Sequence, residues 1–206
     1  MNVRLRSVLG AAVALFCSSS INGSAANERQ EIAHLYKQAV AGDKAAVEDC
    51  IARLEAVIGR ELHNQLARVY LGSACTLRSR DLPFGSEKLK TLKNGLAIMD
   101  DAVGAAPNDG HVRLVRALTT DSLPFFLGRR QATRDDFAAL ITLATKNPGH
   151  FSDDDLQTIY FSAGNRASAD GDSARAINLW REALRHPADP EITVKTKRAL
   201  ANKEAL

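Results

Sequence analysis

Between residues 153 and 187 the chain reads DDDLQTIYFSAGNRASADGDSARAINLWREALRHP, two amphipathic stretches separated by Gly171-Asp172. Ala163, Gly164 and Ala167 in the first stretch, and Ala176 and Ala183 in the second, fall where two helices of a hairpin must touch. Without large side chains at the crossing the helices can approach closely, while Trp180 fills the space beside the contact. The segment is thereby constrained to an antiparallel helical hairpin.

Helical pattern continues from Asn27 onward. Apolar residues recur at three and four, and β-branched alternation at period two is missing. Ser86 reads as an N-cap, after which Leu89, Leu92, Leu96, Met99 and Val103 share one face, with Pro107 beyond the end. Thr133-x-x-Asp136 and Ser152-x-x-Asp155 read as acidic capping boxes, and Asp189-Pro190 places a capping acid before a proline at the first helical position. The spacing predicts helices near 28–41, 44–58, 64–79, 86–105, 109–120, 133–146, 153–169, 172–186 and 190–203. These make four hairpins and a final unpaired helix.

The hairpins echo one another. Gly42-Asp43 repeats the Gly171-Asp172 turn, and Val47, Ile51 and Leu54 follow it at second-helix spacing. Leu71-Gly72 and Cys75 fit a first helix, and Gly95, Met99, Ala102 and Pro107 fit a second. Leu82-Pro83-Phe84 and Leu123-Pro124-Phe125 lie 41 residues apart, each after a first helix. In residues 153–187, Tyr160, Ala163-Gly164, Ala167, Ala176, Trp180 and Ala183 fit the same scheme, and Pro187 comes one residue early. Together these residues resemble the tetratricopeptide (TPR) repeat, whose period is about 34 residues. Its pattern puts an aromatic, Leu-Gly and Tyr on one helix, then Ala, an aromatic, Ala and a closing Pro around the next. The second unit departs from it by a loop about eleven residues longer than the family's. In the third, Arg113 occupies the place matching Gly72, which either shifts the register or spoils close packing there. The fold the resemblance implies is an all-α, TPR-like α-solenoid of about four hairpins plus a C-terminal helix, spanning residues 27–206.

Residues 1–26 read as a secretory signal peptide. Arg4 and Arg6 precede an uncharged run from Val8 to Cys17, then come three serines and Ser24-Ala25-Ala26, with cleavage expected near Ala26. The apolar core has about ten residues where spanning a bilayer takes about twenty, so a retained anchor is the weaker reading. Phe16 before Cys17 departs from the small residue that a lipoprotein signal wants there. The formal charge is +3, but Arg4 and Arg6 belong to this leader, so the remaining chain is nearly balanced. That argues against nucleic acid as a partner, because a phosphate backbone calls for an excess of cations. About 180 residues remain, the size of one domain with a continuous core.

Chemistry is scarce in this sequence. His34, His63, His111, His150 and His186 never pair at i,i+3 or i,i+4, so no histidine-built metal site is expected. Asp153, Asp154 and Asp155 suit the first turn of a helix, where the macrodipole favours carboxylates without a ligand. Gly171-Asp172-Ser173 resembles the start of a GDSL hydrolase motif but lacks its Leu and the strand that would present the serine. No G-x-S-x-G, phosphate-loop or dinucleotide fingerprint occurs. Neither a cofactor nor a catalytic role is expected. Cys50 and Cys75 lie equally far from about residue 62, where two helices should reverse, so either a disulfide or two packed thiols fits.

The resemblance implies protein or peptide binding, and the leader places it in the periplasm or outside the cell, as an adaptor or assembly factor. TPR units usually recognise partners on a concave face lined by their first helices, which nominates Tyr70, Ser73, Phe161 and Asn165. The competing reading is that Tyr70 and Phe161 only complete the core between repeats. If units stack in register, Phe84, Phe125 and Phe126 project along one edge as an apolar rim, unless each Phe tucks beneath its loop. Arg78, Arg80, Arg129 and Arg130 could gather beside those loops and attract an acidic segment. The alternative function is a small-ligand accessory of envelope transport, with a closed apolar pocket between helices.

Overall fold

The computed structural model describes residues 23–204, so most of the expected signal peptide, residues 1–22 with Cys17 among them, lies outside the described residues. Among the described residues there are nine α-helices and no strand. They are α1 (Gly23–Ala41), α2 (Lys44–Arg60), α3 (Gln65–Asp81), α4 (Ser86–Ala105), α5 (Gly110–Asp121), α6 (Arg130–Lys146), α7 (Asp153–Ala169), α8 (Ser173–Ala183) and α9 (Pro190–Glu204). The first begins earlier than periodicity suggests, which puts Ser24-Ala25-Ala26 in its opening turn.

Short polar side chains start most of these helices. Asp43, Asn64, Asp109 and Asp172 each accept a hydrogen bond from a backbone N–H in the first turn of α2, α3, α5 and α8. Ser152 and Asp155 complete a reciprocal capping box at α7, and Asp189 accepts from Glu191 and Ile192 at α9. Two expected caps are corrected. Gly85, not Ser86, precedes α4, and it offers no side-chain cap. Helix α6 begins at Arg130, because Thr133 and Asp136 are drawn inward rather than turned back on the backbone. Thr133 bonds the Thr120 hydroxyl at 2.8 Å, and Asp136 takes Arg113 and Arg116. Gly42 and Gly171, at φ of 110° and 90°, close α1 and α7 in the left-handed region that glycine tolerates.

Successive helices pack as antiparallel hairpins, α1/α2, α3/α4, α5/α6 and α7/α8, and α9 closes the stack against α7 and α8. The first helices also touch one another, α1 with α3, α3 with α5 and α5 with α7, so they form one layer and the second helices the other. This is a TPR-like α-solenoid. Because successive helices alternate in direction, the loops after α1, α3, α5 and α7 share one edge, and those after α2, α4 and α6 the opposite edge.

Glycine sets the closest approach. A Cβ on Gly72 would lie 2.6 Å from the Gly95 carbonyl oxygen, and one on Gly95 would lie 2.6 Å from the Gly72 oxygen. In the fourth hairpin a Cβ on Gly164 would meet the Trp180 ring at 2.6 Å, as the small-residue pattern requires. The third hairpin is joined differently. Arg113 and Arg116 of α5 hold the fully buried Asp136 of α6 at 2.7–2.8 Å, a charged clasp where the second hairpin has bare backbone. Ser73 likewise ties three first helices together. Thr119 spends its proton on the Val115 carbonyl, so Ser73 donates to Thr119 at 2.8 Å and Tyr36 donates to Ser73 at 2.6 Å. Burial pushes the Tyr36 phenol well above its ordinary range, despite these bonds. Cys50 and Cys75 are buried free thiols, and burial pushes the Cys50 thiol up to about 12.

Candidate functional site

The exposed edge takes its form from two prolines. Pro83 and Pro124 lack the N–H that would continue α3 and α5, so each chain turns out of its helix at the residue before. After Pro124 a single 3₁₀ turn, Phe125–Leu127, ends at Gly128 in the left-handed region with φ of 70°. The rings do not tuck beneath their loops. Phe84 is 93% exposed, Phe125 69% and Phe126 74%. Phe125 and Phe126 meet edge to face with centroids 6.1 Å apart, and the Arg130 guanidinium lies 5.4 Å above Phe125. Lys88 braces the first loop by donating to the Arg80 and Leu82 carbonyls at 2.9 Å.

The basic residues nominated with these loops serve different ends. Arg78 is held by Glu48, and Arg80 by Asp81 at 2.9 Å and by the Ala39 carbonyl at 3.1 Å. Arg129 is paired with Asp100. Arg130 is exposed, its guanidinium over the Phe125 ring. The four do not form one patch. Instead a cavity of about 200 Å³ opens beside the second loop, lined by Phe125, Arg129, Arg130, Thr120 and Thr133 together with Arg166 from α7. A second cavity of about 180 Å³ lies on the other side of Arg166, against Phe137 and Asp170. The Arg134 hydrogen bond holds the Asp170 carboxyl below its usual range, with Arg166 also contributing.

The residues nominated for a concave groove go elsewhere. Tyr70, Ser73 and Phe161 are buried, so their side chains cannot meet a partner. Tyr70 packs edge-on against Tyr36 at 4.9 Å, and Ser73 is the centre of the hydroxyl chain. Asn165 is half-buried and accepts the Trp180 Nε1–H at 3.1 Å, which fixes the indole beside Gly164. These positions hold the repeats together. The residue sequence reasoning missed is Arg166. Its i,i+4 bond to Asp170 is legible, but its 3.2 Å reach to Asp121 spans 45 residues and has no local signal.

At the opposite end of the third hairpin, His111 stacks on His150 with centroids 5.3 Å apart and lies 3.7 Å from Asp155. Burial pushes the Asp155 carboxyl up, but the nearby His111 ring and hydrogen bonds from Ser152 outweigh it and hold the group below its usual range. Among the described residues no group of three or more His, Cys, Asp or Glu could hold a metal ion. No helix described is long and apolar enough to cross a membrane.

Comparison with known proteins supports the architecture. The chain is similar in structure to a thermophilic TPR protein of Thermus thermophilus, with a TM-score of 0.61 and 19% sequence identity over 92% of this chain and 89% of that one. At that identity the likeness establishes the fold alone. No family model and no curated protein matches the sequence.

Proposed function

We propose that the protein is an exported adaptor or assembly factor that seats a protein partner on the edge carrying Phe84, Phe125 and Phe126. The observation that carries this reading is the exposure of those three rings on two loops of one edge. Aromatic residues left in water on loops cost solvation in the free protein and suit the apolar centre of an interface. Stacked helical repeats expose extended surfaces of this kind and use them for binding rather than catalysis. Export is supported by the basic, apolar and small-residue order of residues 1–26. A small-molecule role is less well supported, since ligand sites usually measure roughly 300–1,000 Å³, and the cavities here are about 200 and 180 Å³.

The test is affinity capture from the source cell's envelope extract, comparing wild type with the triple variant Phe84→Ser, Phe125→Ser, Phe126→Ser. A protein recovered with wild type and lost with the variant, at unchanged helical circular dichroism, supports the assignment. Equal recovery with both rejects it.

A further inference from the structure

We propose that the cavity beside Phe125 is a carboxylate subsite, which takes an Asp or Glu side chain of an acidic partner segment whose apolar neighbours lie on Phe125 and Phe126. This rests on the reading of the edge as a protein-binding surface and names the chemistry of what binds there. Three arginines line the cavity, Arg129 and Arg130 at the start of α6 and Arg166 from α7. Two are fixed by carboxylates, Arg129 by Asp100 and Arg166 by Asp170 at 3.0 Å and by Asp121, itself part of the cavity wall, at 3.2 Å. A guanidinium already held in place loses little freedom when it gains one more acceptor.

Charge around the cavity is not balanced. Its wall carries three arginines, Arg129, Arg130 and Arg166, against one carboxylate, Asp121, an excess of two positive charges. At the first loop, by contrast, Arg78 and Arg80 each have a carboxylate of their own.

Size and rim choose among anions. A volume of about 200 Å³ admits one acidic side chain but is small for a nucleotide. An inorganic anion would leave the exposed rings of Phe125 and Phe126 unused, whereas a peptide threads its carboxylate into the cavity and lays adjacent apolar side chains on them.

Fluorescence anisotropy on the full-length protein tests this with two labelled, end-capped peptides, one alternating Leu with Asp and one alternating Leu with Asn. The Asp peptide should bind at least ~10-fold more tightly than the Asn peptide, and its affinity should fall as salt rises. Arg130→Glu, a change at an exposed position, should weaken the Asp peptide ~10-fold or more and leave the Asn peptide within ~2-fold. Phe125→Ser should weaken both peptides ~3-fold or more. Equal affinity for the two peptides, or an unchanged Kd in Arg130→Glu, overturns the proposal. So does saturable binding of inorganic phosphate without any of the Asp peptide, which assigns the cavity to a free anion. If the Asp peptide fails while the triple Phe variant still loses its captured partner, the carboxylate subsite falls and the edge reading stands.

Discussion

Replacing Gly72 by Ala should drive α3 and α4 apart. The new Cβ would lie 2.6 Å from the Gly95 carbonyl oxygen, 2.6 Å from Met99 Cγ and 3.0 Å from the Met99 nitrogen. Two of these atoms are backbone, and Met99 is fully buried, so no side chain can swing aside. Ordinary contact begins at 3.4 Å, which requires α4 to retreat by roughly 0.8 Å along most of its length. Overpacking of this kind costs about 1–3 kcal/mol, and backbone on both sides places it at the upper end. Alanine's better helix propensity returns about 1 kcal/mol, leaving a net loss of about 2 kcal/mol. With a urea slope of about 2 kcal/mol/M, the unfolding midpoint should fall by about 1 M. Gly104 in the same α4 helix is the control, because a Cβ there meets nothing within 4 Å. Gly104→Ala should raise the midpoint by up to about 0.5 M, propensity being the sole change. A Gly72→Ala midpoint equal to or above wild type would refute the idea that bare backbone contact sets the hairpin geometry.

Three further outcomes follow from the packing. Asp136→Asn leaves Arg113 and Arg116 without their shared buried carboxylate and should cost about 3 kcal/mol, read from the same urea curves; a loss under about 0.5 kcal/mol would show that the clasp contributes little. Asp155 is held below its usual range by His111 and Ser152, so its contribution is present above the unfolded carboxylate value of about 3.9 and is lost as pH falls through its lower folded value. The stability gap between wild type and Asp155→Asn should therefore close as pH falls from about 5 through the folded value, and a gap that widens over that range would contradict the sign. In a Cys17→Ser chain, Cys50 and Cys75 should resist a thiol reagent at pH 8 while folded and react together in urea, since Cys50 is buried and its thiol is pushed up to about 12. Rapid modification of either in the native chain would contradict their burial.

Much of the fold was legible because its contacts are local. Gly-Asp turns, Asp caps and the Gly72 with Gly95 and Gly164 with Trp180 pairs announce themselves at fixed offsets, so the hairpins and their boundaries follow from period and composition. Less was legible where a side chain's fate depends on the next repeat. Tyr70, Ser73 and Phe161 look like groove residues at their offsets, yet the neighbouring first helix covers them, Ser73 reaching Tyr36 and Thr119 from 37 and 46 residues away. Thr133 and Asp136 have the spacing of a cap but are claimed by Thr120 and by two arginines of α5. Arg113, which occupies a glycine's place, is accommodated by that same carboxylate rather than by a shift of register. The rings of Phe84 and Phe125 could have covered the core or faced water, and only the outward turn after each proline decides it.

The edge that carries Phe84, Phe125 and Phe126, and not the opposite one, is proposed to meet a protein. Site-specific photocrosslinking tests it in the source cell, with p-benzoylphenylalanine in place of Phe125 and, separately, in place of Leu62, which is also exposed but lies in the loop between α2 and α3. A discrete protein adduct is expected from position 125 and none from position 62. No adduct at 125, or an equal one at 62, would contradict it.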